Sequence, residues 1–283
     1  MTMQPREYLR PEDWPSALAA LSRAERTSTS IVIPPYVPDD RYAGVDVVVD
    51  LSRLNLASIR QTVDDIELGA LVPLQDLVEA PWGNAPAAHI LAQAAHLAAH
   101  PGLRRLATVG GVLSAHLGPP EVLLALLVLE ARVVLRGPGD SVRELPLDNF
   151  LNQGHALSGE VAAWLKFFLP SARAAGGLER VARTPRDEAI VAAAAVVEVE
   201  GEVCQRARLS LAGAGVPPRR IARAEQLLEG QPLSLERIGA AAEAAQAAVQ
   251  FASDLRASAA YRQAMAAVVA RRALVGAWER SQS

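Results

Sequence analysis

The chain has 283 residues, 51% of them hydrophobic, and a formal net charge of −3, which is length and apolar content enough for one large packed domain or two ordinary ones. Charge is nearly balanced and no basic block occurs, which argues against nucleic acid as a partner. The single cysteine, Cys204, excludes a disulfide within the chain and any four-cysteine iron–sulfur or zinc site.

The opening residues, Met1-Thr2-Met3-Gln4-Pro5-Arg6-Glu7, hold no apolar signal core. The apolar stretches 122–129 and 189–197 are bracketed by glutamates and are too short to span a bilayer. A cytoplasmic protein without membrane insertion is the expectation. Asp13 before Trp14-Pro15 predicts a helix N-cap with proline in the first turn, and Leu18 and Leu21 supply its apolar stripe. Two short β-branched runs, 30–33 and 45–51, read as strands separated by a proline-rich loop. Residues 66–71 predict another strand, and 85–100 a helix stopped by Pro101-Gly102.

Thr108-Val109-Gly110-Gly111 follows, leading into Val112-Leu113-Ser114-Ala115. A Gly-Gly pair lets the backbone turn sharply and approach a ligand, with amide N–H groups and a threonine hydroxyl available to an anion such as a pyrophosphate. Residues 120–131 predict a second apolar helix, and 132–136 with 142–147 a hairpin. The composition shifts over 150–158. Residues 161–169 read as a strand ended by Pro170. Stretches 178–183, 189–200 and 202–211 then predict an antiparallel meander with a tight turn at Glu200-Gly201. Alanine-rich helices are expected over 221–229, 235–255 and 259–278.

This order resembles the FAD-binding medium subunit of molybdenum hydroxylases of the carbon monoxide dehydrogenase and xanthine dehydrogenase type. Val49-Asp50-Leu51-Ser52-Arg53-Leu54 resembles that family's IDL strand exit, and Ile66-Glu67-Leu68-Gly69-Ala70-Leu71 its IGA strand. The stretch 103–115 is similar to its "I-R-N-x-A-T-I-G-G-N-I-A" segment. In the C-terminal half, 180–191 resembles the opening of the family's small C-terminal domain, and Asp254-Leu255-Arg256-Ala257-Ser258-Ala259-Ala260-Tyr261-Arg262 its "D-x-R-A-S-A-x-Y-R" helix entry.

The resemblance implies an α+β fold. Residues 1–168 would be a PCMH-type FAD-binding domain of two small α/β subdomains, about 1–56 and 57–168. Residues 172–283 would form a C-terminal domain with a three-stranded antiparallel sheet and a helical bundle. It implies FAD held through Thr108, Val109, Gly110, Gly111, Val112 and Ser114. No residue of this chain would be catalytic or ligate a metal, because the flavin carries the redox chemistry. The implied partners are a large molybdenum-cofactor subunit and a small 2Fe-2S subunit, with molybdopterin and iron–sulfur clusters only on those chains. Electrons would pass from the clusters through FAD to an acceptor.

Two departures bear on the cofactor. Where the family has a first glycine loop, this chain has Ile33-Pro34-Pro35-Tyr36-Val37-Pro38, and proline has no N–H to offer a phosphate. Losing two amide donors and a hydroxyl costs several kcal/mol if each charge-assisted bond contributes roughly 1.5–3 kcal/mol. In the second loop the family's Asn or Asp is Val112, and the segment after it is shortened to His116-Leu117-Gly118-Pro119-Pro120, with no clear equivalent of the family's acidic residue. Three readings therefore stay open: a flavin-carrying subunit, a degenerate homologue that serves the complex as a scaffold or assembly subunit without flavin, or a pocket that holds a different, uncharged or smaller ligand. Among other residues, His96 and His100 have the spacing of zinc ligands on a helix but no third ligand, and read as helix-end residues. Cys204 reads as a core thiol, and Arg256, Tyr261 and Arg262 as support for packing.

Overall fold

A computed structural model describes residues 7–22, 28–31, 47–82, 85–115, 119–153, 159–185 and 187–282. The expected first-loop residues Pro34, Pro35 and Tyr36, and His116, lie outside them. The chain divides into two compact units, each assembled from three stretches.

The first unit comprises Met1–Asp76, Gly102–Gly118 and Arg132–Phe167. It opens with β1 (Glu7–Leu9), which joins β2 (Ser28–Ile31) and β3 (Val47–Asp50) in a parallel sheet of order β1-β3-β2. The sequence gives no sign of β1, since three residues are too few to show an alternating pattern. Between β1 and β2 runs α1 (Trp14–Leu21), capped as expected: the Asp13 carboxylate accepts from the Ser16 N–H at 2.8 Å. Its Ala17 and Ala20 pack on Val47, Val49 and Leu51.

A second sheet has the order β4-β5-β8-β6-β7, built from Ile59–Gln61, Asp65–Gly69, Val161–Phe168, Arg132–Gly137 and Ser141–Pro146 respectively. The expected hairpin is there, with β6 and β7 antiparallel from Arg132↔Pro146 to Gly137↔Ser141. Gly139 and Asp140 turn it at positive φ.

The exit of β3 is tied down by Asp50, which is buried. Its carboxylate accepts from the Tyr8 hydroxyl and the Ser52 N–H, with Arg10 at 3.3 Å. Burial works against its ionisation, but these donors outweigh it and hold the carboxyl below its ordinary 3.8. A carboxyl depressed in the folded state stabilises the protein above its unfolded pKa, and that contribution is lost as pH falls through the folded value. Tyr8→Phe is therefore expected to cost roughly 1–3 kcal/mol near neutral pH and to move acid unfolding to higher pH. Tryptophan fluorescence followed from neutral pH down to acid would check it, and an unchanged midpoint would refute it.

The second unit comprises Leu77–Pro101, Pro119–Ala131 and Phe168–Ser283. Its centre is the predicted antiparallel meander of β9 (Ala174–Val181), β10 (Val191–Glu200) and β11 (Val203–Gly213), turned at Gly201 with φ 62°. The sheet has four strands instead of the expected three. β12 (Val216–Arg220) pairs with β11 at the edge. Its Val-Pro-Pro-Arg-Arg sequence argues against a strand, but prolines are tolerated where one side of a strand has no partner.

β10 is buried along nearly its whole length, as a strand packed on both faces must be. Helices α6 (Glu121–Val128) and α10 (Ala259–Ser281) pack against it, while α3 (His89–Ala98) packs on β9 and α6, and α9 (Leu235–Ala247) on α10. Every residue of α6 is buried, which explains a run that is apolar all round. Gln93 of α3 donates to the Leu178 carbonyl at 3.1 Å, and the buried Ser210 hydroxyl to the Leu124 carbonyl at 2.9 Å. A Cβ on Gly177 would come closer than 3.0 Å to the Ala273 carbonyl oxygen, so glycine is what allows α10 to lie directly on β9. Helix α9 stops at Ala247, short of the expected 255, because Val249 and Phe251 turn into the core beside the strands. Among the described residues, no helix is long and apolar enough to cross a membrane.

Candidate functional site

The glycine pair lies where three backbone segments of the first unit meet. The turn after β3 brings the Leu56 carbonyl against Gly69, where a Cβ would come closer than 3.0 Å to that oxygen. The Gly69 N–H donates to the Ser58 carbonyl at 3.0 Å, and the Leu71 N–H to the Leu56 carbonyl at 3.0 Å. The next residue, Ala70, then meets Gly110: a Cβ there would stand 2.8 Å from the Ala70 oxygen and 2.9 Å from its Cβ. Gly69 and Gly110 are thus two successive backbone contacts, each requiring the absence of a side chain.

Gly110-Gly111 belongs to a helix and not to a loop. Helix α5 (Val109–Ala115) begins at Val109, and Thr108 caps it, its Oγ1 accepting from the Gly111 N–H at 3.1 Å. The remaining amides of the first turn are also engaged. Val109 N–H donates to the Val72 carbonyl at 3.0 Å, Gly110 N–H to the Ala70 carbonyl at 2.7 Å, and Val112 N–H to the Thr108 carbonyl at 3.0 Å. No open nest of amides faces outward from 109–112.

The candidate residues therefore divide by what they have left to give. Val109 and Gly110 are committed to the junction with the preceding strand. Val109 and Val112 are buried side chains that seat the helix. The Thr108 hydroxyl accepts from Gly111 and keeps its own O–H to donate. Gly111 N–H is held by that single cap bond, and Ser114 is exposed. Two hydroxyls and one singly held amide are thus the donors that 108–114 could offer an anion.

Other candidates resolve individually. His100 lies beyond the end of α3 at Ala98, so it does not continue the face that carries His96. Among the described residues, no group of three His, Cys, Asp or Glu side chains could hold a metal. Cys204 is fully buried near the start of β11, and burial pushes its thiol up to about 11, a value that leaves it unreactive at neutral pH. Arg262 is buried, donates to the Ile190 carbonyl and pairs with Asp254.

One buried pair is not legible in the sequence. Glu121, the first residue of α6, is completely buried, and its Oε1 accepts from Arg180 Nη1 at 2.8 Å. Arg180 also holds the carbonyls of Pro185 and Asp187. Burial pushes the Glu121 carboxyl above its ordinary value, with Arg180 pulling it partly back. The only sequence signal was a glutamate at the edge of an apolar run.

Comparison with known proteins places the chain. Residues 4–162 match the family described as the FAD binding domain in molybdopterin dehydrogenase, and residues 178–277 the CO dehydrogenase flavoprotein C-terminal domain. The carbon monoxide dehydrogenase medium chain of Hydrogenophaga pseudoflava is 31% identical over 245 residues, covering 85% of this chain and 84% of that one. The nicotine 6-hydroxylase medium subunit of Paenarthrobacter nicotinovorans is 29% identical, with 85% of each covered. A solved structure of the carbon monoxide dehydrogenase from Hydrogenophaga pseudoflava superposes with a TM-score of 0.88 at 30% identity, covering 98% of this chain and 99% of that one. Both halves, in the same order, thus identify the chain as a member of the family of FAD-binding medium subunits of molybdopterin-dependent dehydrogenases.

Proposed function

We propose that this chain is the flavin-carrying electron-transfer subunit of a cytoplasmic molybdenum hydroxylase complex, assembled with a large molybdenum-cofactor subunit and a small 2Fe-2S subunit. Family membership over both halves of the chain carries this reading. In it, residues 1–168 form the FAD-binding domain and 172–283 the C-terminal domain. FAD supplies the interconversion of one- and two-electron steps between an iron–sulfur donor and an acceptor. The protein's own contribution is to hold the pyrophosphate: the Thr108 hydroxyl donates to it, Gly111 N–H exchanges its cap bond for a phosphate oxygen, and the Ser114 hydroxyl adds a third donor. Val109, Gly110 and Val112 keep α5 in place under those groups.

A second reading, a scaffold or assembly subunit without flavin, is favoured by one observation: the amides of 109–112 are all engaged within the fold. Pro34-Pro35 in the sequence points the same way. Visible flavin absorbance of the protein purified with its partners separates the two. Colourless protein that also takes up no added FAD would sink the first reading. Under that reading, Thr108→Val is expected to weaken FAD binding about 10- to 100-fold, as the loss of one charge-assisted hydrogen bond implies. The lost cap costs only about 0.5–2 kcal/mol of stability. A FAD titration beside a urea melt checks both halves of that expectation.

A further inference from the structure

The connection between β9 and β10 is held down by a buried ion pair. Arg180 Nη1 donates to Glu121 Oε1 at 2.8 Å and to the Asp187 carbonyl at 3.1 Å, and Nη2 donates to the Pro185 carbonyl at 2.5 Å. One guanidinium thus ties the start of α6 to two carbonyls of the connection. Two further pairs hold the same stretch from outside, Arg183 with Asp187 at 3.2 Å and Arg256 with Glu188 at 2.5 Å. All of these residues belong to the second unit.

Glu121 is only half satisfied. It is completely buried, its Oε1 has Arg180, and its Oε2 has no hydrogen-bond partner among the described residues. A buried carboxylate oxygen without a donor is costly, and most of that cost falls on the ionised form. Burial is the largest influence and raises the carboxyl above its ordinary 4.5; its own backbone N–H and Arg180 pull it back, and the like charge of Glu188 adds to the rise. The elements packed most closely on α6 are α3, β10, β11 and β12. Their charged side chains are engaged elsewhere or face water: His89, His96 and Arg219 are exposed, and Glu198 and Glu200 lie at the far end of β10. Arg206, Arg208 and Arg220 converge on Glu130, beyond the other end of α6.

We propose that Glu121 and Arg180 form a proton-operated latch: with Glu121 protonated the β9–β10 connection stays closed over the pair, and loss of the proton favours an opened connection in which both side chains meet water. The connection is the cover that yields, because Thr184, Pro185 and Glu188 are exposed whereas α6 and β10 are buried. Once it opens, Glu121 is hydrated and titrates near its ordinary value, so the closed form binds the proton more tightly. Below 4.5 both forms are protonated and opening does not depend on pH. Above that value opening becomes more frequent by up to about tenfold per pH unit, until the closed carboxyl ionises as well. The latch uses only residues of this chain and stands whether or not a flavin is carried.

Hydrogen exchange of the full chain, divided by the intrinsic exchange rates, reads the opening directly. The Asp187 N–H donates to the Thr184 carbonyl at 3.1 Å and the Ile190 N–H to the Val181 carbonyl at 2.7 Å, so both amides exchange when the connection opens. Their opening constant is expected to rise at least about tenfold between about pH 5 and about pH 7. The Ile221 N–H, bonded to the Leu209 carbonyl at 2.9 Å in the same unit, should show no such rise. Glu121→Gln keeps an oxygen for Arg180 but cannot ionise, and should make the opening of 187 and 190 independent of pH. If that variant does not fold, Glu121→Leu/Arg180→Met takes its place with the same expectation. A wild-type opening constant that does not change with pH overturns the proposal. So does an equal rise at Ile221, which marks unfolding of the whole unit, or a rise that persists once Glu121 is replaced.

Discussion

Arg180→Ala is expected to destabilise the protein by about 3–5 kcal/mol, the cost of leaving a buried charge without its partner. Glu121 is completely buried, and the Arg180 side chain is 8% exposed. Removing the guanidinium also orphans the Pro185 and Asp187 carbonyls in the connection between β9 and β10. Burial already raises the Glu121 carboxyl and Arg180 restrains that rise, so the variant drives it further up. A carboxyl raised in the folded state binds its proton more tightly there than in the unfolded chain. Its penalty is therefore absent below the unfolded value of 4.5 and grows as pH rises toward the folded one. The defect of Arg180→Ala should thus be smallest in mild acid and larger near neutral pH. Urea unfolding at both conditions checks this, and a defect of equal size at both would rule out Glu121 as its source. The double variant Glu121→Leu/Arg180→Met should recover most of the loss, since apolar groups of similar volume often replace a buried pair without net cost.

That pair also shows where reading the sequence reaches its limit. Apolar runs and turn residues carry local information, and they located α6, the β6–β7 hairpin and the β9–β10–β11 meander to within a few residues. The Asp13 cap was legible for the same reason, because donor and acceptor are three residues apart. Glu121 and Arg180 lie 59 positions apart. Nothing near Glu121 distinguishes a glutamate at the edge of a buried helix from one facing water. β12 was hidden by its prolines, whose tolerance depends on being at a sheet edge, a property of the assembled sheet. The motif ending in Arg262 was legible as a support for packing, but that Arg262 would reach the Ile190 carbonyl, 72 positions away, depends on the assembled fold.

The glycine pair changes most between sequence and structure. As a sequence, Gly110-Gly111 suggests backbone freedom and amides free for an anion. In the structure, Gly110 is a spacer: its N–H is held by the Ala70 carbonyl at 2.7 Å, and a Cβ would stand 2.9 Å from the Ala70 Cβ. Gly110→Ala is therefore expected to destabilise the first unit by about 1–3 kcal/mol through overpacking. Gly69→Ala should cost at least as much, because a Cβ there would come closer to the Leu56 backbone carbonyl than one on Gly110 comes to that of Ala70. A loss of that size lowers the melting temperature by roughly 2–12 °C in a chain of this length. Substituting Gly110 with proline would also remove the bond to Ala70, so flavin lost in such a variant reports on the fold and not on ligand contact. Thr108→Val is the discriminating change, because it removes a donor while leaving the Gly69–Ala70–Gly110 junction intact. Gly110→Ala that melted like the wild type yet failed to bind FAD would show that Gly110 approaches the ligand directly, and would overturn its assignment as a packing residue.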